Sequence, residues 1–309
     1  MPSSTKWLLW LVCSSFGWGI FLPGCASAPR VVQIPTVLEP VRPALSLTSD
    51  YPEALAAIVS IMEQDLKLPV AGGTVTFYPH SIALESALAA EYAKDFEQLE
   101  RRLGPKEKER FQATKAESIA LAARERATTA VAVGMHKRVL VNELVFARYP
   151  WSERIRVLAH ELTHTVEKGL VDGRLISADL WLVEGFAEWV AYKVVDALAI
   201  ETFAKGRERN VDVVAQARQY QTFPSLTQLV TGKEWLTWAR TLGREATYGQ
   251  ALLAVDFLIE QKSLPAVVEY FRLFKKQNNR ERNFVTAFGE PLAEFEGEFS
   301  QHLQMLLGK

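Results

Sequence analysis

The chain has 309 residues, with 35 Lys and Arg against 36 Asp and Glu, for a formal net charge of −1. That balance leaves no electrostatic footprint for nucleic acid or for a strongly acidic partner. At 49% hydrophobic and 23% charged residues, the composition is that of a globular protein with a sizeable core, not of a disordered or fibrous chain.

Residues 1–24 do not read as part of a fold. Lys6 is the only charge before an apolar run from Trp7 to Leu22, which leads into Leu22-Pro23-Gly24-Cys25. A basic start, a short apolar core and small residues near a cut site read as a secretory signal. The run is short and broken by Gly and Pro, which disfavours a membrane span. Its Leu-x-Gly-Cys ending resembles a bacterial lipobox. By that resemblance Cys25 becomes the lipidated N-terminus after cleavage, and Ser27 without an Asp after Cys25 implies an outer-membrane lipoprotein facing the periplasm. A plain signal peptide and an uncleaved anchor are the alternatives. Cys13 and Cys25 are the only cysteines, so a processed domain carries no further thiol, which suits an oxidising compartment. Residues 25–50 contain Pro29, Pro35, Pro40 and Pro43, a density that favours extended chain and cannot hold a helix. They read as a tether, or as a disordered tail.

Leu55, Ile58, Val59 and Met62 recur at helical spacing and predict a helix over residues 52–66. Gly72-Gly73 then precedes a β-rich run, Thr74 to Tyr78. Two long helices follow, residues 82–103 and 106–124, split by Gly104-Pro105; their interleaved charges read as a solvated face. Ala130 to Val133 and Arg138 to Asn142 read as two strands around Gly134-Met135-His136-Lys137.

Val157 to Trp189 carries the chemistry. Ile155, Leu158, Leu162 and Val166 form one apolar stripe, with Ser152 as the expected N-cap and Gly169 as the expected stop. His160 and His164 stand at i and i+4, so a helix points both imidazoles at one place, as a zinc ion requires. Glu161 is offset from them, where a general base for a water belongs. A second helix, residues 177–199, places Trp181, Glu184, Glu188 and Val195 on one face beside Ala187 and Ala191, whose small side chains permit close approach. Glu184 is the expected third ligand, and three protein ligands are the catalytic form of a zinc site. Glu188, one turn on, is the expected support for a ligand imidazole.

His160-Glu-x-x-His164, with nineteen residues to Glu184 in a Trp-Leu-x-Glu-Gly-Phe-Ala frame, resembles the gluzincin zinc metallopeptidases. Among these it looks closest to the compact bacterial peptidase MA-like domains. Phe223 to Leu229, Tyr248-Gly-Gln-Ala251 and Ala287 to Glu296 share that likeness, which covers roughly residue 131 onward. It implies an α+β, mainly α, two-lobed fold with a small mixed sheet and an active-site helix pair. Residues 51–200 would form the sheet-bearing lobe and 201–309 a helical lobe. It further implies Zn²⁺ as cofactor, a peptide or protein as substrate, and Glu161 as the base. In gluzincins an edge strand before the metal helix binds substrate backbone; by resemblance Val139 to Asn142 is the candidate, an internal hairpin the alternative. Tyr248 is the implied oxyanion donor, or else a packed core Tyr. The Gly-x-Met-Glu-Asn signature of aminopeptidases is absent, which leans the reading toward an endopeptidase or oligopeptide cleaver. A catalytically silent zinc-bearing scaffold and a hydrolase of a non-peptide amide are the other classes. His80, His136 and His302 have no ligand spacing and read as solvated or structural. The aromatic C-terminal segment reads as helices and core.

Overall fold

The computed structural model describes residues 28–35, 50–174 and 176–308. The signal-like segment, Cys25 and most of the Pro-rich stretch lie outside the described residues. Part of that stretch is inside, and there the tether expectation needs correcting. Arg30–Ile34 is a strand, β1, paired antiparallel with β2 (Gly73–Tyr78). Its Val-Val-Gln-Ile core is β-branched and alternates, with Val32 and Ile34 buried, so it joins the sheet although prolines flank it.

The chain is mainly helical with one small mixed sheet. After α1 (Tyr51–Ser60), which continues as a π-turn over Ile61–Asp65, comes β2, then the helical hairpin α2 (Ser81–Glu100) and α3 (Pro105–Thr129). β3 (Ala132–Met135) and β4 (Arg138–Asn142) form a tight hairpin with Lys137 at φ 59°. The strand order among the described residues is β1-β2-β4-β3, with β2 and β4 parallel across the α2–α3 connection. Val139 to Asn142 is therefore an interior strand, and the edge-strand expectation fails for it. The edge on that side belongs to β3.

One sheet face, with Val75, Phe77, Val139 and Val141, packs into the large core with α1 and with α5 (Trp151–Leu170). The other, with Tyr78, Val133, Met135 and Leu140, is covered by Leu84 and Leu88 of α2 and Ala122, Ala123 and Ala127 of α3. A short α4 (Glu143–Phe146) leads to α5. Pro150, at φ −60°, occupies the N-cap position of α5, and Arg154 N–H donates to its carbonyl. Ser152 thus lies inside the first turn instead of capping it, and the helix runs past Gly169 to Leu170. The predicted stripe of Ile155, Leu158, Leu162 and Val166 is fully buried.

Next come α6 (Leu180–Ala197) and α7 (Phe203–Arg218). They are followed by α8 (Gly232–Leu242), α9 (Arg244–Lys262), α10 (Leu264–Leu273), α11 (Arg280–Phe288) and α12 (Leu292–Leu307). Gly185 lets α9 close on α6, because a Cβ there would overlap the Ala251 carbonyl. One hydrophobic cluster extends from Val32 to Leu303 and draws on both residues 51–200 and residues 201–309. No helix of the described residues is long and apolar enough to cross a membrane.

Candidate metal centre

α5 and α6 pack side by side, and their polar faces meet. His160 Nε2 and His164 Nε2 are 3.1 Å apart. Glu184 Oε2 lies 3.4 Å from the first and 3.7 Å from the second. Donors about 2.0–2.1 Å from a tetrahedral zinc sit about 3.3 Å from each other, so this triangle has the edges of such a site. Two imidazoles and a carboxylate are also the donor chemistry that suits zinc.

Behind each imidazole stands a carboxylate. His164 Nδ1 is 2.8 Å from Glu167 Oε2. His160 Nδ1 is 3.1 Å from Glu188 Oε1, off the line of a straight hydrogen bond. An ionised carboxylate only accepts, so both neighbours favour the proton on Nδ1 and leave the Nε2 lone pairs directed at one point. Two lone pairs that close repel unless a proton or a metal ion lies between them.

The electrostatics agree. Burial alone would lower the His160 imidazole, but Glu184 and Glu188 override it and raise it to about 9. His164 is likewise raised, against its burial, by Glu167 and Glu184. Burial would raise Glu184, yet the two imidazoles hold it well below the usual carboxylate range. Glu188, also opposed by burial, is brought down to about 2 by Arg156 and His160. Arg156 Nη1 sits 2.6 Å from Glu188 and Nε 3.0 Å from Glu153. The floor of the site is thus set up to hold positive charge.

Glu161 is buried, and its Oε2 accepts the Gly134 N–H at 2.5 Å. Gly134 is on β3, and a Cβ there would overlap the Glu161 carbonyl oxygen, so only glycine lets the strand approach α5 this closely. Tyr248, on the second turn of α9, places its ring centroid 6.2 Å from that of His160 and edge-on to Trp235 at 5.0 Å. Burial and the Glu184 carboxylate raise its hydroxyl above the usual phenol range.

The structure therefore brings together His160, Glu161, His164, Glu184, Glu188 and Tyr248; Cys25 lies outside the described residues. Glu167, Arg156 and Gly134 were not singled out from the sequence. Glu167 had a signal, since i+3 from His164 is the same helix face. The other histidines stand apart. His80 Nδ1 accepts the Ala83 N–H at the start of α2, His302 stacks on Phe257, and His136 packs against Gly173. Comparison with protein-family models, curated proteins and solved structures finds no match for this chain.

Proposed function

We propose that this chain is a zinc-dependent peptidase of the gluzincin type, acting on peptides or proteins in the cell envelope from an N-terminal lipid anchor. The observation that carries the reading is the convergence of His160, His164 and Glu184 with a buried carboxylate, Glu161, next to it. Zinc held by these three residues would supply Lewis acidity, activating a water and polarising the carbonyl under attack.

The chain's own residues do the rest. Glu188 and Glu167 hold the imidazoles in the ligating tautomer. Gly134 N–H holds one oxygen of Glu161 and leaves the other for proton transfer. Glu161 takes the proton from the attacking water and delivers it to the leaving nitrogen as the C–N bond breaks. Tyr248 O–H donates to the carbonyl oxygen as negative charge develops there.

The test joins metal analysis to cleavage of a peptide library by the purified mature protein. About one zinc per chain and cleavage products are expected. Glu161→Gln should keep its zinc and lose at least ~10²-fold in turnover, the scale of removing a general base. A zinc-loaded wild-type protein that cuts nothing in the library would favour the silent scaffold.

A further inference from the structure

All three candidate ligands come from α5 and α6, and the two helices face each other as a ladder. α5 presents Arg156, His160 and His164 at one-turn spacing, and α6 presents Glu184, Glu188 and Tyr192 at the same spacing. The helices run antiparallel along this seam, so the rungs alternate. His164 Nε2 is 3.7 Å from Glu184 Oε2, which is 3.4 Å from His160 Nε2. His160 Nδ1 is 3.1 Å from Glu188 Oε1, and the other oxygen of Glu188 is 2.6 Å from Arg156 Nη1. The Arg156 guanidinium carbon closes the ladder, 5.5 Å from the centroid of the Tyr192 ring.

The two ends of the ladder are held differently. Tyr192 is fixed from outside: its hydroxyl accepts from Asn210 Nδ2 at 3.1 Å and from Arg209 Nη2 at 3.3 Å, both on α7. Among the described residues, Glu184 forms ion pairs only with the two imidazoles. Its position follows from that of α6. A helix advances 1.5 Å and turns about 100° per residue, so a slip of α6 by a single residue carries Glu184 off both imidazoles. The histidine pair does not share this risk, because both rings and the Glu167 behind His164 belong to α5. Arg156 opposes the slip. Its guanidinium fork takes Glu188 of α6 on Nη1 and Glu153 of its own helix on Nε, at 3.0 Å. The Arg156 and Glu188 side chains are only 24% and 12% exposed, so solvent screens this pair less than a surface one.

We propose that Arg156 is a positioning residue: it clasps Glu188 and so locks the slide and rotation of α6 against α5 at the place where Glu184 completes the metal centre. The proposal rests on the metal-centre reading above. Glu184 stands one turn before Glu188 on α6, and that turn carries the constraint from the clasp to the third ligand. Tyr192, one turn on the other way, offers its ring to the same guanidinium and ties the clasp to α7.

Metal affinity tests this and does not require turnover. Zinc dissociation constants of the purified mature protein are measured by competition with a chelator. We expect Arg156→Gln to weaken zinc binding about 10- to 100-fold, the scale for groups placed behind metal ligands. Arg156→Lys keeps the charge but has no fork for two carboxylates, so its loss should be smaller. Arg138→Gln controls for lost stability. It breaks the ion pair with Glu91 between β4 and α2, away from α5 and α6, and should leave zinc affinity at the wild-type value. Cobalt(II) in place of zinc reads the ligand set through its visible absorption. The Arg156→Gln spectrum should move toward that of Glu184→Ala, because α5 keeps the histidine pair and only the carboxylate is loosened. Wild-type affinity and spectrum in Arg156→Gln, or an equal loss of affinity in Arg138→Gln, overturns the clasp. If Arg156→Gln does not fold, Arg156→Lys is read in its place, and wild-type affinity there overturns the clasp equally. A wild-type chain that takes up neither zinc nor cobalt sinks the metal-centre reading and the clasp with it; metal uptake with an unaffected Arg156→Gln sinks the clasp alone.

Discussion

The floor of the cleft and its rim are built on opposite principles. On the floor, His160, Glu161, Glu167 and Glu188 are all buried, and each has a named polar neighbour on α5, α6 or β3. On the rim, Tyr248 is half-buried and touches its neighbours through its ring, while Arg244 is exposed. Buried charges without partners cost several kcal/mol, so the floor tolerates few substitutions. Exposed, hydrated side chains are cheap to keep unpaired, so the rim is free to wait for a ligand. Variants of the candidate ligands and of the carboxylates behind them should therefore change metal content and stability together, whereas Glu161 and rim variants should change rate or selectivity alone.

The largest effect is expected from the floor. His164→Ala removes one of the three proposed ligands and leaves Glu167 buried without its imidazole. It should abolish zinc binding and lower the melting temperature, because ligand binding contributes to folding free energy. Full zinc occupancy in this variant, read by metal analysis, would remove the site from consideration.

Tyr248→Phe tests the rim. The ring and its contact with Trp235 survive, and only the O–H is lost. If that group meets the developing negative charge, kcat should fall about 10²- to 10³-fold with KM and zinc content nearly unchanged. A variant with normal kcat would make Tyr248 a packing residue.

How much of this was legible in the sequence follows the same division. The i and i+4 histidines and the apolar stripe are local helical geometry, so α5 and its candidate ligand pair could be read directly. Glu184 could be placed on a face of its own helix, and the resemblance added its spacing, but the approach of that helix to α5 is a tertiary contact across a turn. Glu167 shares a helix face with His164, but that it is buried is a tertiary fact and not one of local helical spacing. The edge assignment failed for a similar reason. A hairpin looks alike from either arm, and only the parallel pairing of β4 with β2, formed across the α2–α3 connection, decides that β3 is the free one. β1 was missed because Pro29 and Pro35 outweighed the alternating Val and Ile between them.

A smaller effect is expected at Glu167. Glu167→Gln keeps the size of the side chain and loses its charge, so Nδ1–H of His164 is held less firmly. Zinc affinity should weaken about 10- to 100-fold, as for other carboxylates placed behind ligand imidazoles. Competition with a chelator measures this, and unaltered affinity would reduce Glu167 to a filler of space.

The smallest effect, and the one that separates metal from proton, is in the pH dependence of stability. In the metal-free protein His160 is raised from an ordinary 6.5 to about 9, and His164 is shifted in the same direction. Between those pH values the folded chain keeps a proton that the unfolded chain has already lost. The stability from this proton is complete below pH 6.5 and disappears as the pH rises through about 9. With zinc bound, the same nitrogens hold the metal and have no proton to lose, so that decline should vanish. Zinc affinity should instead weaken as the pH falls below about 9, because protons then compete for the imidazoles. Thermal melts across this range, with chelator and with zinc, should therefore diverge on the alkaline side. Parallel curves would mean that His160 and His164 do not exchange protons for metal, and the floor would lose its claim to be a metal centre.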